Sequence, residues 1–262
     1  MGLDASFDLL RVPSGEAVVP PRELWGFGGL HGGLALGLLA EGMREHAAGG
    51  ALRSATARFH RSLSDAFQVR TSLDRAGRTL TEASAQAVGE RGVLVDASAV
   101  FAHAREEAWP PFAPAMPAVP RPEECEVFEI PPEFVPVGRY SEIRAVGSNR
   151  PYAGGTEPAL TAWIRPAGRD TPPDAALFLF LMDALAPSYA AVLDTLLFVP
   201  TVELSVRIGP ALDAMTTPWV LLHARTHSAS PGGWIDEHID AWSEDGAHLG
   251  SARQLRLALP AR

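Results

Sequence analysis

Four groups of residues in this chain have types and spacings that could do chemistry. Asp183 is the only charged residue between Asp174 and Asp194, in a stretch that is otherwise almost wholly apolar. A carboxylate buried there is costly unless it is hydrogen-bonded or protonated, and a desolvated carboxylate suits a general base. The sequence also allows it to cap a helix break near Pro187 or to bind an arginine. Gln254 carries one carbonyl and two N–H donors and can fix the orientation of a water; otherwise it is an outward-facing strand glutamine. Thr201 offers a third polar contact, or is simply a β-branched strand residue. His31-Gly32-Gly33 opens a helix, where free backbone N–H groups and the positive dipole end favour developing negative charge. Glycines serve equally well there for close packing of a helix on a sheet.

Other reactive types fall away. The single cysteine, Cys125, excludes an intrachain disulfide and a multi-cysteine metal site. It sits in Glu123-Glu124-Cys125-Glu126, where neighbouring carboxylates suppress thiol reactivity. His223, His227, His238 and His248 fall on strand-like runs without metal-ligand spacing, so no metal is expected. The glycines form no Walker or dinucleotide fingerprint, and no cofactor is expected.

These residues need a scaffold, and 262 residues with 47% hydrophobic content suffice for a packed core. The net charge of −9 makes general binding of nucleic acid or anionic membrane unfavourable. All 22 basic residues are arginines, which remain available for a phosphorylated ligand. The longest apolar run, residues 175–182, is far too short to span a bilayer. No basic segment followed by an apolar run opens the chain, so a cytoplasmic location is expected. Residues 1–6 fit the loose myristoylation pattern, a match ascribed to coincidence.

A proline-rich stretch from Trp109-Pro110-Pro111 to Pro136 divides the chain. It can form neither a helix nor an inner strand and reads as an extended linker. The expected domains are residues 1–108, a linker over 109–137, and residues 138–262. The first half has extended pieces at 7–10 and 17–19, a helix over 31–47 ended by Gly49-Gly50, and strands over 52–62, 67–74, 79–88 and 93–103. The second half repeats this order: strands at 140–146 and 160–165, a helix over 174–193 that Pro187 should kink or break, then strands over 198–208, 219–228, 234–242 and 248–259. Thr171 is the expected N-cap of that helix, with Pro172 in its first position. Gly92 and Gly246 occupy the same hairpin turn in the two halves. The apolar run 175–182 leaves the helix no polar face, so it must be buried. One helix per set of strands implies a sheet wrapped around a buried helix.

In this order and duplication the sequence resembles the thioesterase-like double-hotdog family. The first half contributes Phe27-Gly28-Gly29-Leu30-His31-Gly32-Gly33-Leu34-Ala35 and the spacing of Arg61, Gly77 and Phe101. The second contributes Ala162-Trp163-Ile164-Arg165, Leu181-Met182-Asp183-Ala184, the strand bearing Thr201, Gly232-Gly233-Trp234, and Ser251-Ala252-Arg253-Gln254. The resemblance implies an α+β double hotdog: two antiparallel sheets, each wrapped around one long helix. It implies an acyl-CoA thioesterase that hydrolyses a fatty acyl-CoA to free acid and CoA, with Asp183, Thr201 and Gln254 holding the attacking water. His31, Gly32 and Gly33 would face the substrate. The sequence departs from the family where Thr201 follows Pro200 and precedes Val202-Glu203. In single-domain relatives an acidic residue about nine positions after the His does chemistry. Glu41 is ten on, roughly 100° off that face, which disfavours a second site. Phe178, Phe180, Met182 and Trp234 are either pocket lining or plain core. The competing readings are a non-catalytic acyl-CoA or acyl-carrier binding protein, a hydratase or dehydratase, whose Asp-His segment is not found, and a purely structural protein. A homodimer is expected by analogy only.

Overall fold

The structure is a computed structural model that describes residues 15–104 and 109–259. The extended piece expected at 7–10 and the pattern in residues 1–6 lie outside these residues. In the first half, β1 (Ala17–Val18) precedes α1 (Gly32–Met43), then β2 (Ala51–Phe59), β3 (Phe67–Ala76), β4 (Leu80–Gly89) and β5 (Gly92–Ala102). In the second, β6 (Glu126–Val127), β7 (Ser141–Val146) and β8 (Ala159–Pro166) precede α2 (Ala175–Leu181), then β9 (Thr201–Ile208), β10 (Val220–Ala229), β11 (Trp234–Ser243) and β12 (His248–Leu257). Gly92 and Gly246 turn the two corresponding hairpins with φ of 92° and 87°, left-handed values at which a side chain would be strained.

The strands form one antiparallel sheet of twelve, ordered β1-β3-β4-β5-β2-β9-β12-β11-β10-β8-β7-β6. This corrects the expectation of two separate sheets. β2 and β9, which would otherwise be edges, pair from Ser54↔Arg207 to Arg58↔Glu203. Joining them satisfies backbone groups that two isolated sheets would leave open. Both helices pack in one continuous core on the inner face, with Leu36, Leu38, Phe178, Phe180 and Leu204 fully enclosed.

The second helix also differs from expectation. It has 7 residues and ends at Leu181, before a 3-10 turn over Ser188–Val192. Its N-cap is Asp174, whose carboxylate accepts from the Leu177 N–H at 2.9 Å, and not Thr171. Pro173 disfavours helical geometry at Pro172, so the helix can start only after both prolines. The first helix passes into a 3-10 turn over Arg44–His46, and Ala48 and Gly49 stop it with positive φ.

The proline-rich segment packs on the outer face of the second half as far as Cys125, and beyond it Phe128, Ile130 and Val135 pack against the main core and line the cavity described below. Trp163 and Trp242 donate their indole N–H groups to the carbonyls of Pro120 (2.9 Å) and Pro114 (3.0 Å). Beneath it lies a second apolar cluster of Trp163, Trp219, Leu221 and Trp242. Cys125 packs against this cluster, and burial followed by the Glu124 carboxylate pushes its thiol up from the ordinary range. Among the described residues no helix is long and apolar enough to cross a membrane.

Candidate active site

Asp183 sits just past the end of α2, where that helix meets the start of α1. Its Oδ2 accepts the Gly33 N–H at 2.8 Å, and its Oδ1 accepts from Gln254 Nε2 at 2.9 Å. Asp183 is 8% exposed and Gln254 is fully buried, so both hydrogen bonds act at low local dielectric. The helix N-terminus adds its positive dipole end to the carboxylate. Gly33 allows the approach: a Cβ there would lie 2.6 Å from the Leu179 carbonyl oxygen and 2.9 Å from Asp183 Cβ. A Cβ on Gly32 would lie 2.8 Å from Asp183 Oδ2. Both uses of these glycines weighed from the sequence thus coincide, close packing and an amide aimed at negative charge. The Gly33 amide is occupied by Asp183, whereas Gly32 lines the cavity and stands first in α1, where an N–H has no intrahelical acceptor.

The remaining polar groups come from the sheet. On β12 the inward positions are Ala252, Gln254 and Arg256. Glu237 on β11 faces Gln254 directly, and Thr201 on β9 faces Arg256. Arg256 donates to Glu237 Oε2 through Nε (2.7 Å) and to Thr201 Oγ1 through one terminal nitrogen (2.9 Å). Its other terminal nitrogen stands 3.6 Å from Asp183 Oδ1. Thr201 therefore reaches Asp183 through Arg256. The other oxygen of Glu237 accepts the Ser188 N–H. Arg256 and Glu237 went unnoticed in the sequence, where each passes for an ordinary charged strand residue. In the first half the inward positions of β4 and β5 include one polar residue, Thr81, which bonds His103, beside the apolar Ala83, Ala85, Ala97, Ala99 and Phe101. To the Asp183 carboxylate that half brings its helix start, and to the cavity wall it adds Phe59, Arg61 and Ser62, while Glu41 is engaged by Arg44 at 2.7 Å, away from the site.

A carbonyl can only accept, so His31 Nε2 carries a proton and donates it to the Asp183 backbone carbonyl at 3.0 Å. Burial pushes its pKa below the ordinary 6.5; the Asp183 carboxylate and carbonyl offset this only in part. Its Nδ1 is buried without a partner. The other strand histidines are occupied elsewhere: His223 with Thr161, His248 with Asp240, and His238 stacked on His227.

These groups stand at a cavity of about 880 Å³ lined by His31, Gly32, Asp183, Thr201 and Arg256. Its walls are largely apolar, with Leu30, Phe59, Phe128, Ile130, Leu196 and Phe198 among them. Phe178, Phe180 and Met182 are fully enclosed core and Trp234 is half exposed; none of the four lines this cavity.

A sheet wrapped over helices in this order, with a carboxylate where the two helices meet, defines a hotdog-type protein. Residues 113–258 match the acyl-CoA thioesterase C-terminal domain and residues 21–102 match the acyl-CoA thioesterase N-terminal domain, and the chain belongs to this family. No protein of curated function matches it. Among solved structures it is similar to a hot-dog-fold protein of unknown function from Alicyclobacillus acidocaldarius, at 22% identity over 98% of this chain and 99% of that one (TM-score 0.88). It is likewise similar to the tesB protein of Mycobacterium avium subsp. paratuberculosis, at 19% identity over 99% and 100% of the two chains (TM-score 0.74). The acyl-CoA thioesterase II TesB2 of Mycobacterium marinum gives 19% identity over 98% of both chains (TM-score 0.74).

Proposed function

We propose that this chain is an acyl-CoA thioesterase that hydrolyses a fatty acyl-CoA to the free acid and CoA, with Asp183 as general base. The observation that carries the reading is the Asp183 carboxylate, held by the Gly33 N–H and the Gln254 amide at the head of a largely apolar cavity. Asp183 takes a proton from a water, whose oxygen attacks the thioester carbonyl carbon. The Gly32 N–H, free of helical bonding, receives the negative charge that develops on the carbonyl oxygen. As the C–S bond breaks, the sulfur leaves with its electron pair and takes the proton back from Asp183. Gln254 Oε1, buried without a partner, and the Thr201 hydroxyl supply the other contacts of the water. The apolar walls take the acyl chain.

CoA release from short, medium and long acyl-CoAs, followed with a thiol reagent, tests this. Asp183→Asn keeps an oxygen for the Gly33 N–H and should fold, with turnover reduced about 10²- to 10⁴-fold. Wild-type turnover that survives this substitution removes Asp183 from the mechanism. Binding of acyl-CoA by wild type without any CoA release favours the non-catalytic acyl-binding reading.

A further inference from the structure

We infer that Arg256, locked in place by Glu237, is a positioning residue that turns the Thr201 hydroxyl toward donating its proton into the cavity; this rests on the hydrolytic reading above. A threonine hydroxyl accepts and donates, and its proton rotates freely unless a neighbour takes one role. Arg256 can only donate, and it does so to Thr201 Oγ1 at 2.9 Å. The hydroxyl proton of Thr201 must then point elsewhere. Among the described residues it has no acceptor, and Thr201 lines the cavity. Gln254 has the opposite polarity. Its Nε2 is turned to the Asp183 carboxylate, which can only accept, so its Oε1 is an acceptor, buried and unpartnered.

A water among these groups has its roles assigned. It gives one proton to Asp183 and the other to Gln254 Oε1, accepts from the Thr201 O–H, and keeps one lone pair for the carbonyl carbon. With the hydroxyl of Thr201 reversed, Thr201 would compete with Asp183 and Gln254 for the same two water protons. Arg256 disfavours that reversal: it fills one of the two lone pairs of Thr201 Oγ1 and, as a cation, turns the O–H away from itself and strengthens it as a donor.

The surroundings of Arg256 fit this role better than one of strand cohesion. Arg256 is 5% exposed and Glu237 is 1% exposed, and a buried ion pair alone seldom stabilises more than apolar side chains of the same volume. The guanidinium fork is shared three ways, by Glu237, Thr201 and the approach to Asp183 at 3.6 Å. Glu237 is itself held by the Ser188 N–H, so the fork cannot swing away. Lysine would keep the charge beside Glu237 but, as a single point donor, could not hold that geometry.

The test compares wild type, Arg256→Lys, Thr201→Val and the double variant in steady-state CoA release, after thermal unfolding has shown that each is folded. Arg256→Lys should lower kcat about 10- to 100-fold with KM changed less than about threefold, and should change kcat less than about twofold when Thr201 is already valine. An equal effect of Arg256→Lys in both backgrounds, or wild-type kcat in either single variant, overturns the inference. Should Arg256→Lys fail to fold, Arg256→Gln with Glu237→Gln replaces it and is read by the same comparison. Absence of CoA release by the wild type itself overturns the hydrolytic reading, and this inference with it.

Discussion

Pro187 stands four residues after Asp183, at the position whose N–H would donate to the Asp183 carbonyl if the helix continued. α2 itself ends earlier, at Leu181; proline has no N–H and clashes with the carbonyl four residues back, so no helix resumes through Asp183 and its carbonyl is left for His31 Nε2 at 3.0 Å. One imino acid thus keeps the Asp183 carbonyl open to the start of α1. Pro187→Ala should restore a competing donor and loosen His31 while leaving the fold intact. CoA release should fall about tenfold, against a shift in thermal midpoint of only a few degrees. Unchanged turnover would show that the Asp183 carbonyl keeps His31 without the proline.

Gly32 and Gly33 should respond differently to alanine. A Cβ at Gly33 meets backbone, 2.6 Å from the Leu179 carbonyl oxygen, so α1 and α2 must separate. Gly33→Ala should cost about 1–3 kcal/mol in denaturant unfolding and abolish turnover, because the Asp183 bond moves with the backbone. At Gly32 the Cβ meets the Asp183 carboxylate at 2.8 Å and the Phe59 ring at 3.3 Å, both on side chains. Gly32→Ala should therefore lose turnover with little change in stability. Equal loss of stability in the two variants would contradict this division.

Much of this arrangement was legible before any coordinates. The repeated order of one helix and four strands, the hairpins at Gly92 and Gly246, and the lone carboxylate of an apolar run all follow from local pattern. The merging of the two halves does not, since an edge strand and an inner strand of the same alternation look alike, and the β2–β9 pairing joins residues about 150 positions apart. The second helix is shorter than the sequence pattern implies, because apolar residues continue past Leu181. Its end at Leu181 lies before the reach of Pro187: Asp183 and Ala184 bond three residues back, to Phe180 and Leu181, where a continuing helix would bond four back. Arg256 was within reach: once Gln254 is turned inward, a strand period of two turns Arg256 inward as well.

The proline-rich segment should contribute measurably to stability through its two indole contacts. Trp242 is 3% exposed and donates to the Pro114 carbonyl at 3.0 Å. Trp242→Phe keeps an aromatic ring under the segment and removes the donor, leaving that carbonyl short of a partner. The expected cost is about 1 kcal/mol in urea unfolding, with turnover unaffected because the segment's contacts with Trp242 lie on the opposite face from Asp183. A substitution without effect would show that apolar contact alone holds the segment.

His31 should make stability depend on pH in the mildly acidic range. In the folded chain burial holds its pKa below 6.5, whereas in the unfolded chain it titrates near that value. Between the two values the unfolded state binds a proton that the folded state does not. The contribution is therefore fully present above about pH 6.5 and is lost as the pH falls from there toward the folded value, at up to about 1.4 kcal/mol per pH unit for one proton. His223, which burial also lowers, adds in the same direction. His31→Gln offers an amide N–H to the Asp183 carbonyl and has no proton to take up. Urea unfolding of wild type and His31→Gln at about pH 8 and about pH 5.5 should give a smaller acid destabilisation in the variant. An identical loss in both proteins would assign the dependence to His223 and other groups, and would leave His31 as a neutral donor whose burial has no titration behind it.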